Sequence, residues 1–127
     1  VWVMEVLCKK ERKRLLPYRR EIVEKILANR GEEGELRLWL NISLMLLPEV
    51  KEIDVDLLNF TLDNICNMRL AVAVRAVCIK IAYQLCKREP DLLKELQAVL
   101  SMLDLKEEQA AIKCVVKKVM GGLMIDD

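Results

Sequence analysis

The sequence predicts an all-α chain of about seven antiparallel helices, stacked hairpin on hairpin into a solenoid. Three observations carry that reading. The first is an apolar ladder that recurs three times, displaced by 38 residues each time. Its rungs are Leu36, Leu40, Ser43 and Leu47, then Val74, Cys78, Ile81 and Leu85, then Ile112, Val116, Val119 and Leu123. Steps of four, three and four keep each set on one helix face. The second is a companion ladder with the same displacement, in which Leu93, Leu96, Leu100 and Leu103 follow Val55, Leu58, Leu62 and Ile65. The third is the punctuation: helix breakers fall at short joints, and no strand-period segment competes with the helical pattern. A closed bundle would not require two helix types to recur in register.

The elements follow in order. A first helix runs from about Val1 to Arg14, with Val3, Val6 and Leu7 as its apolar face. Pro17 marks a new start, proline being tolerated in a first helical turn. The second helix carries Ile22, Val23, Ile26 and Leu27, and Asn29-Arg30-Gly31 ends it. The third spans about Glu33 to Leu47 and stops at Pro48. Asp54 or Asp56 caps the fourth, whose apolar residues are Leu58, Leu62 and Ile65. The fifth covers about Leu70 to Arg88, and Glu89-Pro90 closes it. Leu93 to Leu103 define the sixth, and Asp104 with Glu107 reads as a capping box for the seventh. Gly121-Gly122 is expected to break that last helix, leaving 123–127 as a tail.

Composition bounds the chemistry. The 127 residues are 54% hydrophobic and 32% charged, with four Gly and three Pro, which fits a single folded domain rather than disorder. Basic and acidic residues number 21 and 20, so the net charge of +1 predicts no global pull toward nucleic acid or anionic lipid. No apolar run approaches the roughly 20 residues of a membrane span. There is no His, which removes the commonest general base and zinc ligand together. The cysteines, Cys8, Cys66, Cys78, Cys86 and Cys114, are odd in number and unpaired in pattern. They read as reduced thiols in a cytoplasmic protein, with Cys78 as a small core residue on the ladder. Val1 opens in mid-pattern, so the chain reads as a fragment whose N-terminal part is missing. The apolar surface of such a cut helix offers a route to a dimer.

Candidate binding residues are basic. Lys9, Lys10, Arg12, Lys13, Arg14, Arg19 and Arg20 form the densest charge feature, with Glu11 and Glu21 as its only acids. It suits a phosphate, a nucleic-acid backbone or an acidic partner; its structural reading is a solvated helix end that offsets the helix dipole. A second set, Arg37, Arg75 and Lys113, follows the first rung of each ladder. These would line a partner surface, or each would bond a neighbouring turn and lay its stem over apolar surface. Trp39 is expected in the core beside the ladder, whereas Phe60, out of step with Leu58 and Leu62, is expected to be more exposed. The carboxylate pairs Glu32/Glu33 and Asp54/Asp56 sit at helix starts, where capping explains them. No phosphate loop, metal-ligand cluster or nucleophile motif is present, so no catalytic residue, metal or cofactor is assigned.

The segment Ala71-Val72-Ala73-Val74-Arg75-Ala76-Val77 resembles the start of the second helix of a HEAT repeat, and Leu36-Arg37 and Ile112-Lys113 fall at the same place. That resemblance implies a right-handed α-α superhelix, HEAT/ARM-like, spanning 1–127. Its repeats would pair Pro17–Ala28 with Glu33–Leu47, Asp54–Asn64 with Leu70–Arg88, and Asp91–Leu103 with Glu107–Met120. Val1–Arg14 would be the second half of an earlier repeat. The turn residue is Asn29 or Glu32 before Arg37, Asn67 before Arg75, and Asp104 before Lys113. The texture from Trp2 through Leu15-Leu16-Pro17-Tyr18 to Val119 is also similar to small bacterial HEAT-repeat proteins, some labelled adenylosuccinate lyase. Such lyases use a flexible serine loop and histidine acid–base groups. Here the only serines, Ser43 and Ser101, lie inside helical patterns. The preferred expectation is therefore a non-enzymatic scaffold for an unidentified protein partner; a lyase, as the second alternative, would need residues from the missing N-terminal part or from a partner chain. Nucleic-acid binding through Lys9–Arg20 is the less favoured expectation.

Overall fold

The computed structural model describes Val3 and residues 12–126, with side chains described for Val3 and residues 13–121. The segment Arg12–Leu15 (α1) leads through a 3-10 turn at Leu16–Tyr18 into Arg19–Ala28 (α2). Glu33–Leu46 (α3), Val55–Ile65 (α4), Val72–Cys86 (α5), Pro90–Ser101 (α6) and Ala110–Asp126 (α7) follow. No strand occurs among the described residues.

Local chemistry sets the joints. All three prolines sit at the N-terminal turn of a helix, where a missing N–H costs nothing: Pro17 and Pro48 in 3-10 turns, Pro90 in α6. Gly31 turns the chain between α2 and α3 with φ of 90°, a left-handed conformation that L side chains resist. Beside it, the Asn29 side chain accepts from the Glu32 N–H at 3.1 Å and donates to the Glu32 carbonyl at 3.0 Å. Asp54, not Asp56, caps α4, accepting from the Leu57 N–H at 3.2 Å.

The helices form two layers. In the first, α4 touches α2 on one side and α6 on the other; in the second, α5 lies between α3 and α7. The hairpins α2/α3, α4/α5 and α6/α7 join the layers, and α5 also packs on α6. A helix enclosed on so many sides must be apolar nearly all round. Ten of the 15 residues of α5 are buried, and Ala76, Cys78, Ala82 and Cys86 among them are small enough to let neighbours approach. The ladder rungs lie where their spacing places them. Every described rung of the first ladder, from Leu36 to Val119, is buried, Cys78 at 0% exposure and Val116 at 4%. Leu123 falls outside the described side chains.

Several expectations are corrected. Gly121-Gly122 does not break α7, which continues to Asp126. Glycine in a helix costs about 1 kcal/mol relative to alanine, too little to stop a helix already docked on α5. The same helix starts at Ala110 rather than Glu107, because Asp104 builds a turn of its own. Its side chain accepts from the Lys106 N–H, and its carbonyl accepts from the Glu107 and Glu108 N–H groups. Gln109 then accepts the first helical bonds, from Ile112 and Lys113. On α4, Val55 is 61% exposed while Leu57 and Thr61 are buried, so the packed face is rotated from the expected ladder. Thr61 is satisfied there by donating to the Leu58 carbonyl at 2.9 Å. Phe60 is half-buried against the core rather than exposed. Val3 is 62% exposed; Val6 and Leu7 lie outside the described residues.

Candidate functional site

Arg75 directly follows Val74, the first rung of the ladder on α5, and it is 2% exposed. A buried cation is costly unless its charge and its donors are all met. Its Nε donates to the carbonyl of Ile65, the last residue of α4, at 2.8 Å. Its two terminal nitrogens donate to the two carboxylate oxygens of Glu108 at 3.0 and 2.6 Å. This fork-to-fork pair is the strongest geometry available to arginine and carboxylate. The Arg75 hydrogen bonds hold the Glu108 carboxyl below the usual glutamate range, against a smaller opposing push from burial. One guanidinium thus closes the C-terminus of α4 and fastens the turn before α7. Arg75 therefore does not face a partner as the sequence allowed: at 2% exposure it presents almost no surface.

The other repeated basic positions diverge. Arg37 is exposed and Lys113 is half-buried. The displacement of 38 that carries Arg75 back to Arg37 carries Glu108 back to Leu70, which offers no carboxylate. At that junction the tie is different: Glu33 accepts from the backbone N–H of Ala71, at the start of α5, at 2.7 Å. Arg88 adds another, donating to the carbonyls of Leu47 at 2.9 Å and Lys51 at 3.3 Å.

The basic segment is partly committed to structure. Lys9 and Lys10, and the side chain of Arg12, lie outside the described residues; Lys13 and Arg14 are exposed. Arg19 donates to the Leu16 carbonyl at 3.1 Å. Arg20 donates to both oxygens of Asp54 at 3.0 Å and to Asp56 at 2.7 Å, joining α2 to the start of α4. These acids raise the Arg20 pKa, the Asp56 hydrogen bond most of all.

A cleft of about 340 Å³ opens beside this ion cluster. Val23, Leu46, Leu47 and Leu57 give it an apolar lining, and Arg20 and Asp54 at its edge neutralise each other. The thiols are spread through the stack. Burial pushes Cys78 up to about 12 and Cys86 up to about 11, which keeps both protonated. Cys66 is also raised by its burial and lies 3.8 Å from the Val99 carbonyl; Cys114 is exposed.

A feature missed in the sequence is the absence of acids from two neighbouring helices of the second layer, α5 and, up to Ile125, α7. No Asp or Glu occurs in 64–88 or in 109–125. Both stretches carry lysines, and Lys80, Lys87, Lys117 and Lys118 are exposed on the second layer. In the first layer, α4 has Asp56 and Asp63 with no Lys or Arg. Two acid-free runs were legible as such; that they share one layer required the stacking order.

Two layers of paired helices, with equivalent rungs meeting across neighbours, define an α-hairpin repeat protein. The chain belongs to the HEAT repeat family: the family model for the HEAT repeat domain matches residues 1–123. No curated protein and no solved structure matches it. Among the described residues no helix is long and apolar enough to cross a membrane.

Proposed function

We propose that this HEAT-repeat chain is a non-enzymatic scaffold that binds a protein partner. The observation that carries the proposal is the fastening of successive hairpins by directed polar ties. Arg20 joins α2 to α4, Glu33 joins α3 to the start of α5, and Arg75 with Glu108 joins α4 and α5 to the turn before α7. Surfaces held this way lose little freedom on association, so contact energy is not spent on ordering them. The extended layers of a stacked array suit a partner larger than a metabolite.

Affinity capture with the full-length protein, followed by calorimetric titration of each purified retained protein, tests this reading. Saturable binding to the folded protein is expected, and a Cys78→Asp variant, with a charge forced into the core, loses it. Equal retention by the unfolded variant, or retention of nucleic acid alone, contradicts it.

A further inference from the structure

The lysines of the second layer lie in register. Ala73 and Lys80, seven residues apart, lie on the exposed stripe of α5, and Lys87, a further seven on, follows just past its C-terminal end. The displacement of 38 places Lys118 on α7 at the position Lys80 holds on α5, and Ala111 at that of Ala73. Packed neighbouring helices lie about 10 Å apart, so these ammonium groups share one face rather than scattering. Lys117 extends the face along α7. None of Lys80, Lys117 or Lys118 is paired with a carboxylate among the described residues. Lys87 lies 5.8 Å from the centre of the half-buried Tyr83 ring. In the same register, half-buried Met45 on α3 precedes Tyr83, and Leu38 precedes Ala76.

We propose that this face of α5 and α7 docks an acidic, partly apolar segment of a partner protein. The inference rests on the scaffold reading above and names its surface. Charge complementarity selects the occupant. A face of unpaired lysines without a single carboxylate in either stretch concentrates positive potential, and the carboxylates of neighbouring α3, Glu33 and Glu35, already accept from the Ala71 N–H and the Trp39 indole N–H. Nucleic acid fits less well. Arg75 and Arg88 spend their guanidinium donors inside the fold, so the face has point charges rather than forks for phosphate. Apolar and small side chains also interrupt it, as suits a peptide carrying both acids and aliphatic groups.

The test is fluorescence anisotropy with the full-length protein and a labelled synthetic peptide of repeating Glu-Leu-Asp-Glu-Phe units, with a labelled DNA duplex as the second probe. The peptide should bind at low salt and weaken as salt rises. Lys80→Glu/Lys117→Glu/Lys118→Glu should weaken it about 10-fold or more, and Lys→Gln at the same positions should weaken it less. Lys25→Glu/Lys94→Glu, on exposed positions of the first layer, should leave it unchanged. Should the triple Glu variant fail to fold by circular dichroism, the Gln variant decides: weakened binding supports the surface and unchanged binding overturns it. Absence of peptide binding, an equal loss in the first-layer variant, or tighter DNA binding that the lysine variants abolish overturns it as well. Partner capture that survives the triple variant removes this surface and leaves the scaffold reading intact.

Discussion

Arg75 shows how a single side chain decides between two readings of a repeated position. From the sequence, a basic residue after the first rung of each ladder is either a partner contact or a structural bond. The residue's depth in α5 and its bonds to Ile65 and Glu108 make it structural. Breaking such a pair leaves an uncompensated buried charge, so Glu108→Ala should destabilise the fold by about 3 kcal/mol in urea unfolding. Replacing both partners, as Arg75→Met/Glu108→Leu, should recover most of that loss. The pair also sets a pH dependence. The folded Glu108 pKa lies below its ordinary value of 4.5, so its contribution is full above about pH 4.5. It is lost as pH falls through the lower folded value. The stability gap between the native protein and Glu108→Gln should therefore narrow on acidification below pH 4.5, a trend that urea titrations at successive pH values check. Glu108 itself was not legible, because its partner lies 33 residues away and only the packing of α5 against the turn before α7 unites them.

Among the elements, what could be read depended on whether the signal was local. The ladders and the joints at Pro17, Gly31, Pro48 and Pro90 follow from helix geometry and backbone chemistry, and they were visible in the sequence. The start of α7 was not, since Asp104 can cap a helix or build a turn, and neighbouring contacts choose. The exposed Val55 has a similar cause: α4 meets α2, α5 and α6 together, which rotates its buried face away from the simple ladder. At the start of α4, Asp54 both caps the helix and meets Arg20, whereas Asp56 meets only Arg20 on an exposed surface. Asp54→Ala should cost about 1 kcal/mol through the lost cap, while Asp56→Ala should leave thermal unfolding within error of the native protein. Equal losses at the two positions would show that the ion cluster, not the cap, holds α4 in place.

At the scale of the whole molecule, the stack makes each hairpin depend on its neighbours, with α5 packed between α3 and α7 and against both α4 and α6. The fold was legible because repetition at 38 residues multiplies a weak helical signal three times. The candidate binding face was not, because no short motif marks it. It exists only when the acid-free stretches of α5 and α7 are laid side by side. The most direct test of this common register is thiol labelling of the folded protein with iodoacetamide, read by peptide mass spectrometry. Cys114, exposed on α7, should be labelled in the folded protein, while Cys78 and Cys86, buried at the centre of the stack, should react only through global unfolding. Labelling of Cys78 under native conditions as fast as Cys114 would contradict the stacked arrangement from which the account is built.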